Sequence, residues 1–207
     1  MNESPETTVT RLWLIRHGEP DPEVRGRCYG RLDVSLSAEG RRQLESVAKR
    51  LASEPLSAIY TSPRKRALES AEIVAAPHGC GVQIEHDLHE IDFGDFEGLT
   101  YDDISKLYPA LYRQWMEQPT EVEFPNGESF SMMKSRVTKA VAALHDRHAG
   151  QSVALITHGG AIRIVLADAL SVPSANVFRI AQRYAAINLI RFVGSHPVVE
   201  LVNGVLS

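Results

Sequence analysis

Three short apolar runs, each ending abruptly in cationic or histidine residues, constrain this chain more than any other feature. Leu12-Trp13-Leu14-Ile15 runs into Arg16-His17-Gly18-Glu19, Ala58-Ile59-Tyr60 into Thr61-Ser62-Pro63-Arg64-Lys65-Arg66, and Val153-Ala154-Leu155-Ile156 into Thr157-His158-Gly159-Gly160. Continuous apolar runs of this length are strands buried on both faces, the habit of a parallel sheet covered by helices. The intervening sequence supplies those helices. Ser37 precedes Leu44, Val47, Ala48 and Leu51 at i, i+3, i+4, i+7. Ser62-Pro63 reads as an N-cap with Pro at the first helical position, and Ala67, Ala71, Val74 and Ala75 form the buried face. Phe130, Met133, Val137, Val141 and Leu144 predict a helix over 129–148, and Gly159-Gly160 opens one that runs through Leu170. Residues 82–84, 186–192 and 198–202 read as further strands. The alternation predicts an α/β fold with a mainly parallel central sheet.

In an open parallel sheet the carboxyl ends of the strands line one edge, where ligands bind. His17, Arg66 and His158 are therefore expected at that edge although they lie far apart in sequence. Arg64-Lys65-Arg66 falls in a first helical turn, where the macrodipole disfavours cations by a few tenths of a kcal/mol each. A bound anion would reverse that penalty. His158 followed by two glycines exposes backbone N–H groups at a helix start, a second feature that favours an anion.

Composition narrows the partner. With 22 Lys+Arg against 26 Asp+Glu, the 207-residue chain has a formal charge of −4, which excludes a generally basic nucleic-acid binder. Two cysteines, Cys28 and Cys80, are too few for a disulfide framework. Residues 1–10 are polar, with no apolar core of a signal peptide, and are expected to be flexible. The longest apolar stretch, 161–172, is broken by Arg163 and Asp168 and is too short to span a bilayer. The expectation is a cytoplasmic protein with no membrane or nucleic-acid partner; a homodimer is left open.

Two histidines, two arginines and an anion fit phosphoryl transfer. Neutral imidazole attacks phosphorus when one ring nitrogen is free and the other donates a hydrogen bond. Guanidinium forks at Arg16 and Arg66 match phosphoryl oxygens, and a second histidine adds a hydrogen bond to them. A leaving alkoxide also needs a proton donor. The acid-rich run His86-Asp87-Leu88-His89-Glu90-Ile91-Asp92-Phe93-Gly94-Asp95 offers Glu90 first, with Asp87 and Asp92 as alternatives that composition alone does not separate.

Taken together, Leu14-Ile15-Arg16-His17-Gly18-Glu19, Tyr60-Thr61-Ser62-Pro63-Arg64-Lys65-Arg66-Ala67, Leu88-His89-Glu90-Ile91-Asp92-Phe93-Gly94 and Thr157-His158-Gly159-Gly160 resemble the histidine phosphatase superfamily of phosphoglycerate-mutase-like proteins. The resemblance implies a three-layer α/β/α sandwich, with 11–207 as a single domain carrying a cap-like insertion at about 93–127. It implies a metal-independent, cofactor-free phosphomonoesterase acting on a small-molecule phosphate ester through phospho-His17. Arg16, Arg66 and His158 would hold the phosphoryl group, Gly159 would lie beside it, and Glu90 would be the proton donor. The loop Gly26-Arg27-Cys28-Tyr29-Gly30-Arg31-Leu32-Asp33 and the motif Pro125-Asn126-Gly127-Glu128-Ser129 look closest to α-ribazole phosphatases of cobalamin biosynthesis. A broad substrate range is the other expectation.

Two departures matter. Pro20 follows Glu19 and no Asn lies between 20 and 33, so Arg27 or a backbone group, such as that of Gly30, would replace a phosphate contact common in the family. Arg31 stands where a Trp is frequent. Mutases need positive charge for a second anionic group, yet residues 97–127 carry six acids (Glu97, Asp102, Asp103, Glu117, Glu121, Glu123) against Lys106 and Arg113. Phosphatase is therefore expected over mutase, with Arg25, Arg27 and Arg31 as the cations that could serve a second anion. A non-catalytic phosphate sensor is the third reading, weakened by the presence of Glu90. Eight of fourteen aromatics fall between Phe93 and Phe130, either lining a pocket for a flat leaving group or packing the cap, the commoner fate. His86-x-x-His89 has no thiolate or His-Glu-x-x-His context and receives no metal role; His145 and His148 receive no role either.

Overall fold

In a computed structural model, which describes residues 8–205, six strands form one sheet in the order β3-β2-β4-β1-β5-β6. Strands β1 (Val9–Arg16), β2 (Leu56–Thr61), β3 (Val82–Ile84) and β4 (Ser152–Thr157) are parallel; β5 (Ile187–Val193) and β6 (His196–Gly204) close one side antiparallel. Arg16 pairs with Thr157 in the β1–β4 register, so the ends of the two central strands are level. Alternation along the strands sorts their side chains between two cores. Leu12, Leu14, Ala58, Tyr60, Val153 and Leu155 pack under α5 (Phe130–Arg147) and α6 (Gly159–Ala169). Trp13, Ile15, Ile59, Ala154 and Ile156 pack under α1 (Ala38–Leu51) and α2 (Lys65–Ala75). This is the three-layer sandwich.

The local signal at Ser37 held, and the structure adds a second cap at Ser129. Ser37 caps α1 by accepting from Gly40 N at 2.9 Å, and Ser129 caps α5 by accepting from Met132 N at 3.2 Å. The expected Ser62-Pro63 cap is corrected: α2 starts at Lys65, its N-cap is Arg64, and Lys65 N donates to Asp33 Oδ1 at 2.7 Å. The anion at that helix start is a protein carboxylate. The N-terminal expectation is also shortened. Residues 1–7 lie outside the described residues, whereas Val9 and Thr10 belong to β1 and Thr10 is buried.

Between β3 and α5 the chain forms α3 (Tyr101–Leu107) and α4 (Pro109–Glu117) over a small core of Cys28, Phe96, Ile104, Val122 and Phe124. Both cysteines are free. Among the described residues no helix is long and apolar enough to cross a membrane, and no three His, Cys, Asp or Glu side chains converge as metal ligands.

Candidate active site

The β1 exit is built on a close approach. A Cβ on Gly18 would sit 2.5 Å from Gly40 O, so only glycine lets the chain leave the strand against the start of α1. His17 is thereby fixed at the sheet edge, buried, with Nδ1 2.7 Å from the carbonyl oxygen of its neighbour Gly18. That carbonyl accepts, so Nδ1 carries the proton and Nε2 keeps its lone pair. Burial, then the charges of Arg66 and Arg16, hold the His17 pKa well below its ordinary value, so the ring is neutral at pH 7. His158, fully buried, stands edge-on to His17 with ring centroids 5.1 Å apart. Its Nε2 meets Ser62 Oγ at 2.7 Å, and burial with the charge of Arg66 keeps it neutral as well. The hydroxyl that was expected to cap a helix instead orients a histidine.

Arg66, from the first turn of α2, is fully buried. Its terminal nitrogens donate to the carbonyls of Leu32, Tyr29 and Gly30 at 2.9, 3.0 and 3.1 Å, which leaves Nε–H and one Nη1–H uncommitted. Gly30 thus contributes a carbonyl to Arg66. Arg16 donates Nη1 to Gln182 O and lies 4.2 Å over the ring of Tyr184. Arg16 Nε, Arg66 Nε and His158 Nδ1 are three of the six buried side-chain nitrogens without a hydrogen-bond partner among the described residues. Buried donors are normally satisfied, and their concentration here marks a site made for an acceptor.

These groups surround a chamber of about 150 Å³ lined by Arg16, His17, Arg27, Cys28, Tyr29, Arg66, Glu90, Phe93 and Tyr101. His158 adjoins it through its contact with His17, and Gly159 lies under the Arg16 guanidinium, whose Nε would be 3.4 Å from a Cβ at that position. Arg27 reaches the chamber while donating to Gly98 O at 2.8 Å. Arg25 and Arg31 do not: they form exposed pairs with Glu19 and Asp92. Burial pushes the Cys28 thiol up to about 12, with Glu97 adding to the rise, which makes it an inert wall residue.

Glu90 lies where this chamber meets a second, of about 200 Å³, lined by residues that include Phe93, Tyr101, Trp115, Phe124, Phe130, Arg163 and Phe178. Its carboxyl accepts from Ile91 N at 3.0 Å and from Gly160 N at 3.1 Å. A Cβ on Gly160 would collide with that carboxyl, so the second glycine of the motif makes room for it. The two readings of the aromatic run divide: Phe93, Tyr101, Trp115, Phe124 and Phe130 line the second chamber, whereas Phe96, Tyr108 and Tyr112 only pack the cap.

Sequence reasoning missed Tyr184, whose hydroxyl meets that of Tyr29 at 2.8 Å beside His17. It also missed Arg136 of α5, which donates to Glu128 and to the carbonyls of Asp87, His89 and Glu90. The signal that could have found Arg136 was a cation one turn and a half into a helix whose neighbours face the core. His86 and His89 join no metal cluster, His145 meets its neighbour Asp146, and His148 joins Tyr60 and Gln151.

A neutral, oriented histidine in a guanidinium-lined chamber at the carboxyl edge of an α/β sheet is the arrangement of an enzyme that handles phosphoryl groups. The model of the histidine phosphatase superfamily (branch 1) matches residues 12–204, and the chain belongs to that superfamily. Phosphoserine phosphatase 1 of Hydrogenobacter thermophilus is 30% identical over 195 residues, 94% of this chain and 92% of that protein. Bacillus stearothermophilus YhfR superposes with a TM-score of 0.89 at 33% identity, covering 96% of this chain and 98% of the other. The α-ribazole phosphatase of Shigella flexneri superposes at 0.86 with 26% identity, covering 94% and 96%. The protein is a phosphatase of this superfamily, a phosphoric monoester hydrolase.

Proposed function

We propose that the protein hydrolyses a small-molecule phosphate monoester through a phosphohistidine on His17, without a metal ion. The observation that carries this reading is the neutral, oriented His17 ring in a chamber whose buried donors, Arg16 Nε, Arg66 Nε and His158 Nδ1, lack protein acceptors. His17 Nε2 attacks phosphorus, the P–N bond forms and the P–O ester bond breaks. Charge on the transferring oxygens is taken up by Arg16, Arg66 and His158. Glu90, at the junction of the chambers, delivers a proton to the leaving oxygen and then removes one from the water that cleaves the P–N bond. The leaving alcohol rests in the aromatic chamber, which suits a flat or apolar face; α-ribazole 5′-phosphate has one, and so do many other esters.

Rapid mixing with p-nitrophenyl phosphate in EDTA tests the mechanism. A burst of nitrophenolate and an acid-labile phosphoprotein, both absent in His17→Ala, are expected. Steady turnover by His17→Ala, or loss of turnover in EDTA, would refute it. Release of phosphate to water, rather than transfer to another hydroxyl of a phosphoglycerate, separates hydrolase from mutase.

A further inference from the structure

The two arginines of the first chamber are anchored to different loops. Arg66 gives its terminal nitrogens to the carbonyls of Tyr29, Gly30 and Leu32, in the loop 26–33. Arg16 gives Nη1 to the carbonyl of Gln182, in the loop 182–186. Each loop also covers its own arginine with an aromatic ring: Arg66 Cζ lies 5.1 Å from the Tyr29 ring centre and Arg16 Cζ 4.2 Å from that of Tyr184. Among the described residues a single hydrogen bond joins the two loops. It is the 2.8 Å contact between the hydroxyls of Tyr29 and Tyr184.

The other ties of these loops run elsewhere. Cys28 N donates to Leu99 O at 3.0 Å and Gly98 N to Cys28 O at 2.8 Å, which fastens 26–33 to the cap. Arg183 N donates to Asn203 Oδ1 at 2.7 Å and Ala185 N to His17 O at 3.1 Å, which fastens 182–186 to β6 and to the exit of β1. Ala185 is buried at φ 53°, in the left-handed region that a residue with a Cβ rarely adopts. Such strain persists where the surroundings fix it, and here it follows Tyr184 directly. Arg16 and Arg66 line one chamber, and each keeps an Nε without an acceptor. Their like charges repel across it, a force that acts to part the loops that hold them.

We propose that Tyr29 and Tyr184 form a latch that fixes the spacing of the Arg16 and Arg66 guanidinium groups, so that both meet the transferring phosphoryl group without rearrangement. Donors held in place in advance stabilise the charge of a transition state better than donors that must first turn towards it. The tyrosines are positioning residues: they act on the phosphoryl group through the arginines and take no part in protonating the leaving oxygen. This rests on the phosphomonoesterase reading above and deepens it. The outer sides of both tyrosines line a cleft of about 260 Å³ together with Glu19, Asp21 and Arg25. A hydroxyl that loses its partner therefore meets water there, and breaking the latch strands no buried polar group.

The test is a double-mutant cycle on Tyr29→Phe and Tyr184→Phe, which keep both rings and remove the bond between them. It is read with p-nitrophenyl phosphate, with 2-phenylethyl phosphate and through inhibition by orthovanadate, a mimic of the transferring group. Each single variant lowers kcat/KM for both esters by the same factor of about 2 to 10, the worth of one neutral hydrogen bond. The inhibition constant of vanadate rises by a similar factor. The double variant is no worse than either single one, because the bond is already broken, and Tm stays near wild type in all three. Wild-type kinetics in either single variant, losses that add in the double one, or a loss confined to the alkyl ester overturns the latch alone. A fall in Tm that accompanies the loss assigns the pair to holding the fold and also overturns it. Failure of the wild-type protein to hydrolyse either ester overturns the phosphomonoesterase reading and the latch with it.

Discussion

Replacing Arg136 with methionine separates what holds the fold from what holds Glu90, the proposed general acid. Arg136 Nε and Nη2 donate to Glu128 Oε1 and Oε2 at 2.7 and 2.8 Å, and the paired side chains are 13% and 11% exposed. Burial alone would raise the Glu128 carboxyl; the Arg136 hydrogen bonds and charge outweigh it and hold it below its ordinary value. Arg136→Met leaves Glu128 charged and buried, at a cost of about 3–5 kcal/mol. At roughly 2–4 °C per kcal/mol for a chain of this size, Tm should fall by about 6–20 °C. Arg136 also donates to Asp87 O, His89 O and Glu90 O at 2.7, 2.8 and 3.2 Å, so the same change unties the backbone that aims Glu90.

The second effect has its own signature. A misplaced acid costs most where the leaving group needs protonation, so kcat for an alkyl phosphate should fall about 10- to 100-fold, while p-nitrophenyl phosphate, whose leaving group departs unprotonated, is nearly unaffected. Glu90→Gln should give the same pattern without the loss of Tm. The double variant Arg136→Met/Glu128→Met removes both charges and should recover most of the stability, since apolar replacements of a buried pair are often neutral. It should not recover alkyl phosphate turnover, because the three carbonyls still lack their donor. Recovery of both together would refute the assignment of Arg136 to positioning Glu90.

Three further outcomes are expected. Gly160→Ala drives a methyl group into the Glu90 carboxyl and should lower alkyl phosphate turnover by about tenfold or more with the circular dichroism spectrum unchanged; wild-type turnover would show that the carboxyl is not needed where it lies. His17 and His158 are held below the ordinary histidine value, so the unfolded chain binds their protons more readily; their contribution to stability is complete above about pH 6.5 and declines as pH falls below it. Tm measured from pH 7.5 down to 5 should drop, and the drop should shrink in His17→Gln; an unchanged slope would show His17 to titrate normally. Raising salt from about 10 to about 150 mM should leave kcat/KM flat or increase it, since the chain and its substrate are both anionic; a steep fall would assign substrate capture to the exposed Arg25 and Arg31.

How much of this was legible in the chain depends on how local each cause is. The central strands were, because Val153 to Ile156 are wholly buried and a parallel strand between helices has no polar face to disguise it. The α1 start was legible at Ser37, because a cap bonds within three residues. Ser62 was misread because its hydroxyl serves His158, 96 residues away, while the α2 start is satisfied by Asp33 from another loop. Cap helix α4 has no buried residue, so its periodicity carried no core signal and the stretch read only as an insertion. Arg136 and Arg163 stand on amphipathic helices among many exposed cations; only the packing of those helices distinguishes them.

Charge is where composition and structure part most instructively. A surplus of carboxylates can leave cations free at a chamber if those carboxylates are engaged elsewhere, and apart from Glu90, which lines the site, several near it are. Asp33 caps α2, Glu97 gathers the amides of two loops, and Glu128 is bound to Arg136. Each neutralises a backbone or side-chain donor that would otherwise compete for the phosphoryl oxygens, and each thereby shapes the loops at 29–33 and 87–97 that wall the site. Arg16, Arg66 and Arg163 remain without an ion pair within 4.0 Å among the described residues. Arg16 and Arg66 come from the sheet edge and line the chamber beside His17, whereas Arg163 stands on α6 and lines the second chamber, which the cap also lines.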